Sequence, residues 1–262
     1  MPFRTSIETL VATASVALSM AGSPAAAAAC LTGDGVPAIG AHALDGRTLR
    51  LEDGRDVRLL GISGGKSDDA TTALASLTVK RPIVMHGAGT SDRWGRLQAW
   101  LYLPRRDGPQ SIAEILLKQG AGHAVGTVGA PCFDLLLEAE REARDARRGI
   151  WATPGAILDA TDRAGLLGHI GAHIIAEGRV TSARVVRDRL YVNFTSWRTR
   201  GLTYVIRKRA WPMLGADVSA AAEILKGRPL RVRGQLEWRG GPVIEANGIE
   251  PIERLGGRVS PH

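Results

Sequence analysis

The chain is poor in the residues that build cross-linked proteins. It has only two cysteines among 262 residues, which excludes a disulfide-rich scaffold and a zinc site made of several cysteines. Lysine is also scarce, with five lysines beside 29 arginines. Guanidinium groups suit two-point hydrogen bonding to phosphate, although a GC-rich genome would also favour arginine. With 44% hydrophobic and 23% charged residues, the chain is neither disordered nor a coiled coil.

The N terminus has the pattern of a signal peptide over residues 1–29. Arg4 precedes a mostly apolar, uncharged run over 10–21, and small residues up to Ala29 offer a cleavage site. The run is shorter than the ~20 residues that a membrane-spanning helix needs. We therefore expect an exported protein, periplasmic or secreted, with no transmembrane segment in the mature chain.

Cys30 directly follows this segment. A lipid anchor at Cys30 is the weaker alternative, because Ala27 stands where a lipoprotein has a larger aliphatic residue. In an oxidising compartment Cys30 and Cys132 could form a disulfide, but both could also stay free.

The two halves of the chain differ in charge. Residues 30–152 carry 16 basic and 15 acidic residues, whereas residues 153–262 carry 17 and 10. This asymmetry indicates a polyanion partner for the second half, or a basic surface without a partner. A Thr-Pro-Gly sequence predicts a linker over 153–172, between a first domain at 30–152 and a second at 173–256, with a tail at 257–262.

The first half is predicted to be rich in strands and then helical. Alternating residues around Asp53-Gly54 predict a hairpin. A helix is predicted over 133–148, because Leu136 and Ala139 lie on one apolar face. Further strands are predicted over 82–85 and 97–103, and further helices over 70–77 and 112–119.

The second half is predicted to be a small barrel. Three strands precede a helix, which two more strands follow, and this order is typical of an OB-fold. The strands are predicted over 174–186, 190–194, 203–206, 229–237 and 243–246, and the helix over 218–225.

Five motifs of the first half occur in the order and spacing of one family. They are Asp45-Gly46-Arg47-Thr48, Val57 to Ile62, Asp92-Arg93-Trp94-Gly95-Arg96, Leu117 to Gly120, and Glu138 to Trp151. On these motifs, residues 36–152 resemble the thermonuclease (staphylococcal nuclease-like) family. The resemblance implies a mainly β, α+β fold: a five-stranded OB barrel with three helices, followed here by the second small barrel. It also implies calcium-dependent hydrolysis of DNA and RNA.

The resemblance assigns phosphate binding to two arginines. Arg58 stands where the family has an arginine on its third strand, and Arg96 ends the Asp-Arg-Trp-Gly-Arg motif. A guanidinium can donate two hydrogen bonds to two phosphate oxygens at once. Without the motifs, both would be interpreted as surface arginines.

The family's calcium ligands are missing from the simple alignment. Arg47, Ser63 and Lys66 stand where the family has carboxylates, including the glutamate that handles the attacking water. Calcium takes six to eight oxygen ligands, several of them anionic. We therefore expect no calcium cofactor and an impaired nuclease site, in which Arg47 and Lys66 add to phosphate binding.

One alternative keeps a metal. A shifted loop through Gly64-Gly65 could bring Asp68 or Asp69 to a calcium ion together with Asp45. Otherwise Asp68 and Asp69 begin the next helix, where acidic residues are favourable.

Aromatic and basic residues suggest further contacts with nucleic acid. The family's base-stacking tyrosine is replaced by Gly126, and Trp94 replaces a second tyrosine, so Trp94 either stacks on the ligand or packs on the barrel. In the second half, a predicted loop with Trp197, Arg198 and Arg200 is the best contact patch. The other arginines of this half include Arg184, Arg187, Arg189, Arg207, Arg209, Arg231, Arg233 and Arg239.

Three functions remain open from the sequence. The first is an exported protein that binds DNA, RNA or another polyanion without hydrolysing it. The second is a working secreted nuclease with a remodelled metal site. The third is an envelope protein that uses both barrels for protein contacts.

Overall fold

The structure is a computed structural model that describes residues 31, 34–64, 68–126, 130–196, 198–214, 217–246 and 252–255. These residues form two β-barrels in succession, each around its own hydrophobic core. The predicted signal peptide, Cys30 and the predicted tail lie outside the described residues.

The first barrel closes through five strands. Its strands, in chain order, are β1 (Val36–Asp45), β2 (Thr48–Leu51), β3 (Asp56–Leu59), a short β4 (Ile62–Gly64), β5 (Pro82–Ser91), β6 (Leu97–Leu103), β7 (Gln110–Ser111) and β8 (Gly122–Ala124). β1 pairs with β2 and β5, β2 with β3, and β5 with β6, all antiparallel. The parallel pairing of β3 with β6 closes the barrel and confirms the predicted fold.

Three helices accompany this barrel, as predicted. They are α1 (Asp68–Thr78), α2 (Ile112–Lys118) and α3 (Ala130–Asp145), and a 3-10 turn follows at Gly149–Ala152. The Ser111 hydroxyl caps α2 by accepting a hydrogen bond from the Glu114 backbone at 3.3 Å. α3 ends three residues before the predicted end at 148, because Arg147 takes a left-handed φ of 52° that cannot continue a helix.

The second barrel repeats the strand order of the first. Its elements are β10 (His173–Arg179), β11 (Ser182–Val186), β12 (Arg189–Asn193), β13 (Thr203–Arg207), α5 (Val218–Leu225), β14 (Pro229–Trp238) and β15 (Pro242–Ala246). β11, β12 and β13 form an antiparallel meander, and β13 pairs with β15 in parallel. β14 pairs with β15 and β10, and the chain joins β10 to β11. The predicted order of strands and helix is observed, except that the strand predicted over 174–186 is divided into β10 and β11.

The segment interpreted as a linker contains regular structure. β9 (Leu158–Asp159) pairs with β10 in parallel, and α4 (Arg163–Leu167) follows it. Asp162 caps α4 by accepting hydrogen bonds from two backbone amides at 3.1 Å. A two-residue strand, β16 (Glu253–Arg254), pairs with β14.

A small third core joins the two barrels. Ala143 of α3 and Trp151 pack against Ile175 of β10, and all three are buried. Since burial of apolar surface disfavours separation, the two barrels pack against each other and are not joined only by a flexible linker.

Candidate functional site

Arg47, Arg58 and Arg96 come from three adjacent parts of the first barrel. Arg47 lies in the turn between β1 and β2. Arg58 lies on β3, where it pairs with Thr48, the residue after Arg47. Arg96 directly precedes β6, whose first residues pair with those of β3. All three side chains are half-buried, so the fold gathers three cations that are far apart in the sequence.

The charges of these arginines act on one another. Burial lowers the pKa of Arg47, and the charges of Arg58 and Arg96 lower it further against the opposing effect of Asp45. Burial also lowers the pKa of Arg58, and Arg96 adds to this effect, while Asp45 opposes it. Half-buried like charges are unfavourable, and a bound anion would replace their lost hydration and relieve their repulsion.

The nearest carboxylates shape the turns that carry the arginines. Asp45 accepts hydrogen bonds from the Arg47 backbone N–H at 2.8 Å and from the Thr48 hydroxyl at 3.0 Å. Asp92 accepts the Arg96 backbone N–H at 3.1 Å, and its Oδ2 lies 2.7 Å from Arg96 Nη2. Arg96 is therefore oriented by an ion pair of its own.

Arg47 and Arg58 differ from Arg96 in their partners. Within the described part of the chain, their guanidinium groups make no hydrogen bond and no ion pair. A half-buried guanidinium without a hydrogen-bond partner loses part of its hydration, and no hydrogen bond replaces it. These two side chains are therefore the best-placed groups of the barrel to receive an anion.

The positions that the resemblance assigns to calcium ligands carry no carboxylate where they are described. Ser63 is half-buried on β4, opposite His123 of β8. Lys66 lies outside the described residues. Asp68 and Asp69 are exposed in the first turn of α1. Among the residues described, no group of three His, Cys, Asp or Glu side chains is placed to hold a metal ion. A guanidinium at Arg47 and a hydroxyl at Ser63 do not fit calcium, which prefers several anionic oxygens.

Two histidines from different barrels meet near this site. The rings of His123, on β8, and His173, at the start of β10, have centroids 6.1 Å apart. Burial lowers the pKa of His123. Burial lowers the pKa of His173 to about 3, and the charges of His123, Arg233 and Arg47 contribute. His169, four residues before His173, has its Nδ1 2.9 Å from the Gly165 carbonyl oxygen.

Trp94 is displayed on the turn between β5 and β6. It is 63% exposed, so it does not pack into the barrel. The guanidinium carbons of Arg93 and Arg96 lie 3.9 and 4.7 Å from its ring centroid. Its aromatic surface therefore lies beside Arg96, where it is accessible for stacking on a ligand. The alternative, that Trp94 packs on the barrel, is excluded.

The predicted contact patch of the second barrel is partly described. Trp197 lies outside the described residues. Arg198 and Arg200 are exposed in the loop between β12 and β13. Gly126, at the position of the family's tyrosine, is half-buried after β8.

Several other arginines of the second half are not available to a ligand, contrary to the sequence interpretation. Arg233 is fully buried and paired with Glu140. Arg231 pairs with Glu177 and Glu253. These side chains stabilise the barrel and its packing. The sequence could not distinguish them, because their carboxylate partners are 20 to 93 residues away.

Cys132 lies in the core of the first barrel, on α3. It is 1% exposed and is bonded in a disulfide. Its predicted partner, Cys30, lies outside the described residues.

Comparison with known proteins shows which family the first barrel resembles. Residues 66–153 match the family model of the staphylococcal nuclease homologue. The chain therefore contains a staphylococcal nuclease-like domain, as the motifs predicted. The match includes Arg96 and Trp94 and begins after Arg47 and Arg58. No curated protein matches the chain. No helix among the described residues is long and apolar enough to cross a membrane.

Proposed function

We propose that this protein binds nucleic acid or another polyanion through Arg47, Arg58 and Arg96, and does so without calcium-dependent hydrolysis. The observation that carries the proposal is the pair of half-buried guanidiniums, Arg47 and Arg58, that have no partner among the described residues. A phosphodiester is an anion whose paired oxygens match the two N–H donors of each guanidinium. The nuclease-like domain supports nucleic acid as the source of that phosphate.

The same residues argue against hydrolysis. A metal-dependent nuclease needs carboxylates to hold the ion and a base to activate water. Arg47 adds positive charge where the family has a metal ligand, and Ser63 places a hydroxyl where the family has another carboxylate. The described part of the site is thus suited to hold a phosphate group and does not supply the carboxylates for a metal-dependent cleavage. On this proposal the domain is a pseudoenzyme that still binds its substrate.

A cleavage and binding assay separates this proposal from an active nuclease. Labelled single-stranded and double-stranded DNA is incubated with the purified mature chain, with calcium or with a chelator, beside Arg58→Ala and Arg96→Ala variants. We expect no cleavage in either condition, and a gel shift that both variants weaken. Calcium-dependent cleavage that both variants abolish would establish an enzyme with a remodelled metal site, using Asp45, Asp68 or Asp69.

We further propose that the chain is exported and processed after Ala29. The support is the apolar run over 10–21 with its following small residues. Expression in a bacterial host, fractionation and N-terminal sequencing test this directly. A mature N terminus at Cys30 in the periplasm or medium is expected, and a full-length chain in the cytoplasm would contradict the proposal. The mass of the N-terminal peptide of that product also distinguishes a lipid-modified Cys30 from a free or disulfide-bonded one.

A further inference from the structure

A large groove crosses the second barrel, away from the arginines of the first. Its volume is about 1210 Å³, and it is open to solvent. It is lined by side chains of β11, β12 and β13, by the loop after β12, by one side of α5, and by the turn between β14 and β15. On β12 the groove contains Tyr191 and Asn193, whereas Leu190 and Val192 point into the core. Because side chains alternate along a strand, the groove occupies the outer face of the barrel.

The groove is basic. Arg184, Arg200, Lys226 and Arg239 line it, and Glu223 is the one acidic residue among the described residues that line it. Two of these cations have carboxylate partners: Lys226 pairs with Glu223, and Arg239 with Glu237 and Glu245.

Arg184 and Arg200 remain as uncompensated charges. Both are exposed, and within the described residues neither makes a side-chain hydrogen bond or an ion pair. Ser182, Thr203 and Asn193 add hydroxyl and amide groups to the same lining, where they bond to one another. Such a lining can donate to phosphate oxygens and can exchange hydrogen bonds with base edges.

The loop that carries Arg200 is held in place. Arg200 has a left-handed φ of 50°, which is unfavourable for a residue other than glycine. Its backbone N–H bonds to the Ser196 carbonyl at 3.2 Å, and the next N–H, of Gly201, bonds to the Thr195 hydroxyl at 2.7 Å. These bonds fix the direction in which Arg200 leaves the loop. A loop whose backbone is already ordered loses less entropy when a ligand binds.

Tyr191 supplies an aromatic surface in the same groove. It lies on β12 opposite Arg184 of β11. An aromatic ring and cations in one groove are the combination that binds a base and its flanking phosphates in a single strand.

We propose that this groove is a second nucleic-acid site, which binds a single-stranded segment through Arg184, Arg200 and Tyr191. The inference rests on the proposed function. Since the first barrel is proposed to bind the phosphates of nucleic acid, nucleic acid is also the polyanion expected at the second barrel. A single strand is favoured over a duplex because its bases are free to stack on Tyr191, whereas the bases of a duplex are already stacked on each other.

Binding of a fluorescently labelled oligothymidylate of about 16 nucleotides, with chelator present, tests the groove. The double variant Arg184→Ala/Arg200→Gly removes both free charges, with glycine chosen because residue 200 has a positive φ. The control is Arg228→Ala/Arg187→Gly on the same barrel. Both control arginines are exposed and outside the groove, and Arg187 has a φ of 54°. Both double variants therefore change net charge and backbone strain equally.

The salt dependence of affinity gives the expected size of the effect. For a single strand, the slope of log affinity against log salt falls by about 0.7 for each phosphate that the protein no longer neutralises. We expect the groove variant to reduce the slope by about 1.4 and the affinity at low salt by at least about tenfold, while the control stays near wild type. Tyr191→Leu should weaken single-stranded binding and spare duplex binding. Equal reductions in the two double variants, or none in either, would overturn the groove as a site.

The Arg58→Ala variant separates this inference from the proposed function. If Arg58→Ala weakens binding and the groove variant does not, the groove proposal fails alone. If the groove variant weakens binding and Arg58→Ala does not, the first-barrel proposal fails and the groove remains a site. If the wild-type chain binds no oligonucleotide at all, both fail.

Discussion

Arg233 of the second barrel donates two hydrogen bonds to Glu140 of the first, at 2.9 and 3.0 Å, and neither side chain is exposed. Arg233 also bonds to the Ala124 carbonyl at 3.1 Å and to Glu253. Burial opposes a charge on Arg233, but Glu140 and Glu253 outweigh burial and raise its pKa. A bidentate ion pair thus lies in the boundary between the two barrels.

Removing Arg233 should destabilise the protein strongly. The variant Arg233→Met breaks the buried pair and leaves Glu140 only its longer ion-pair contact with Arg144, at 3.3 Å. Breaking a buried ion pair typically costs about 3–5 kcal/mol. The double variant Arg233→Met/Glu140→Gln should be more stable than the single one, since the glutamine removes the charge and still accepts from the Ala124 backbone N–H. Urea unfolding measures both.

The control for this buried ion pair is an ion pair exposed on the surface. Arg141 pairs with Glu138 on the surface of α3. Arg141→Met should change the unfolding free energy by less than about 1 kcal/mol. A decrease in Arg141→Met as large as that in Arg233→Met would contradict a special role for the buried pair.

Acid should destabilise the fold through the two histidines. Their pKa values are lowered from 6.5, that of His173 to about 3, so the folded state keeps them neutral. Above pH 6.5 the unfolded chain also leaves them neutral, and they do not affect stability. As pH falls below 6.5 the unfolded chain binds protons that the folded chain cannot, so stability falls. Glu253, with a lowered pKa and an ordinary value of 4.5, adds its effect at lower pH.

The unfolding midpoint should therefore decline as pH falls from about 6.5 to about 4.5, and His173→Gln should flatten that decline. His42→Gln is the control, since His42 is exposed on the first barrel. A wild-type midpoint that stays constant across this interval, or a slope that His173→Gln leaves unchanged, would contradict the assignment.

Trp94 should contribute to single-stranded binding by stacking on a base. Replacement by leucine should cost about 1–3 kcal/mol of binding free energy, the usual cost of removing one stacked base. Trp238→Leu is a matched control, because Trp238 is also exposed, at 43%, and also has an arginine, Arg163, 5.3 Å from its ring. Unchanged affinity in Trp94→Leu would show that the exposed ring has another role.

Restoring carboxylates should restore calcium binding. The triple variant Arg47→Asp/Ser63→Asp/Lys66→Glu replaces two cations and a hydroxyl with three anionic ligands. Isothermal titration should detect calcium binding in this variant and none in the wild type or in Arg47→Ala. Calcium binding of equal strength in the wild type would show that other residues already form a metal site.

Local patterns were sufficient for most of the fold. The hairpin around Asp53-Gly54 and the helix at Val218–Leu225 follow from alternation and from helical periodicity, and both are observed. The first strand, Val36–Asp45, was not predicted, because its alanine, glycine and proline residues give no clear alternation. The arginine site could be predicted only because family motifs place Arg58 and Arg96.

Long-range contacts were beyond the sequence. His123 and His173 lie far apart along the chain, and no periodicity brings them together. Arg233 belongs to a basic segment whose sequence suggests a ligand-binding surface. Only the packing of the two barrels shows that the Arg233 side chain is paired with Glu140. The groove on the second barrel also depends on the order of strands around the barrel, which places Arg200 of a loop and Arg184 of β11 in one groove.

The most direct test of phosphate binding by the first barrel is the affinity of a labelled oligonucleotide for Arg47→Ala/Arg58→Ala in the presence of a chelator. The matched control is Arg50→Ala/Arg55→Ala, which removes two exposed arginines that pair with Asp56 and Asp53 on the neighbouring hairpin. The account predicts calcium-independent binding that the first variant weakens, with a salt slope on a single strand that is lower by about 1.4. The second variant should keep both the affinity and the slope of the wild type. Equal binding by both variants would contradict it.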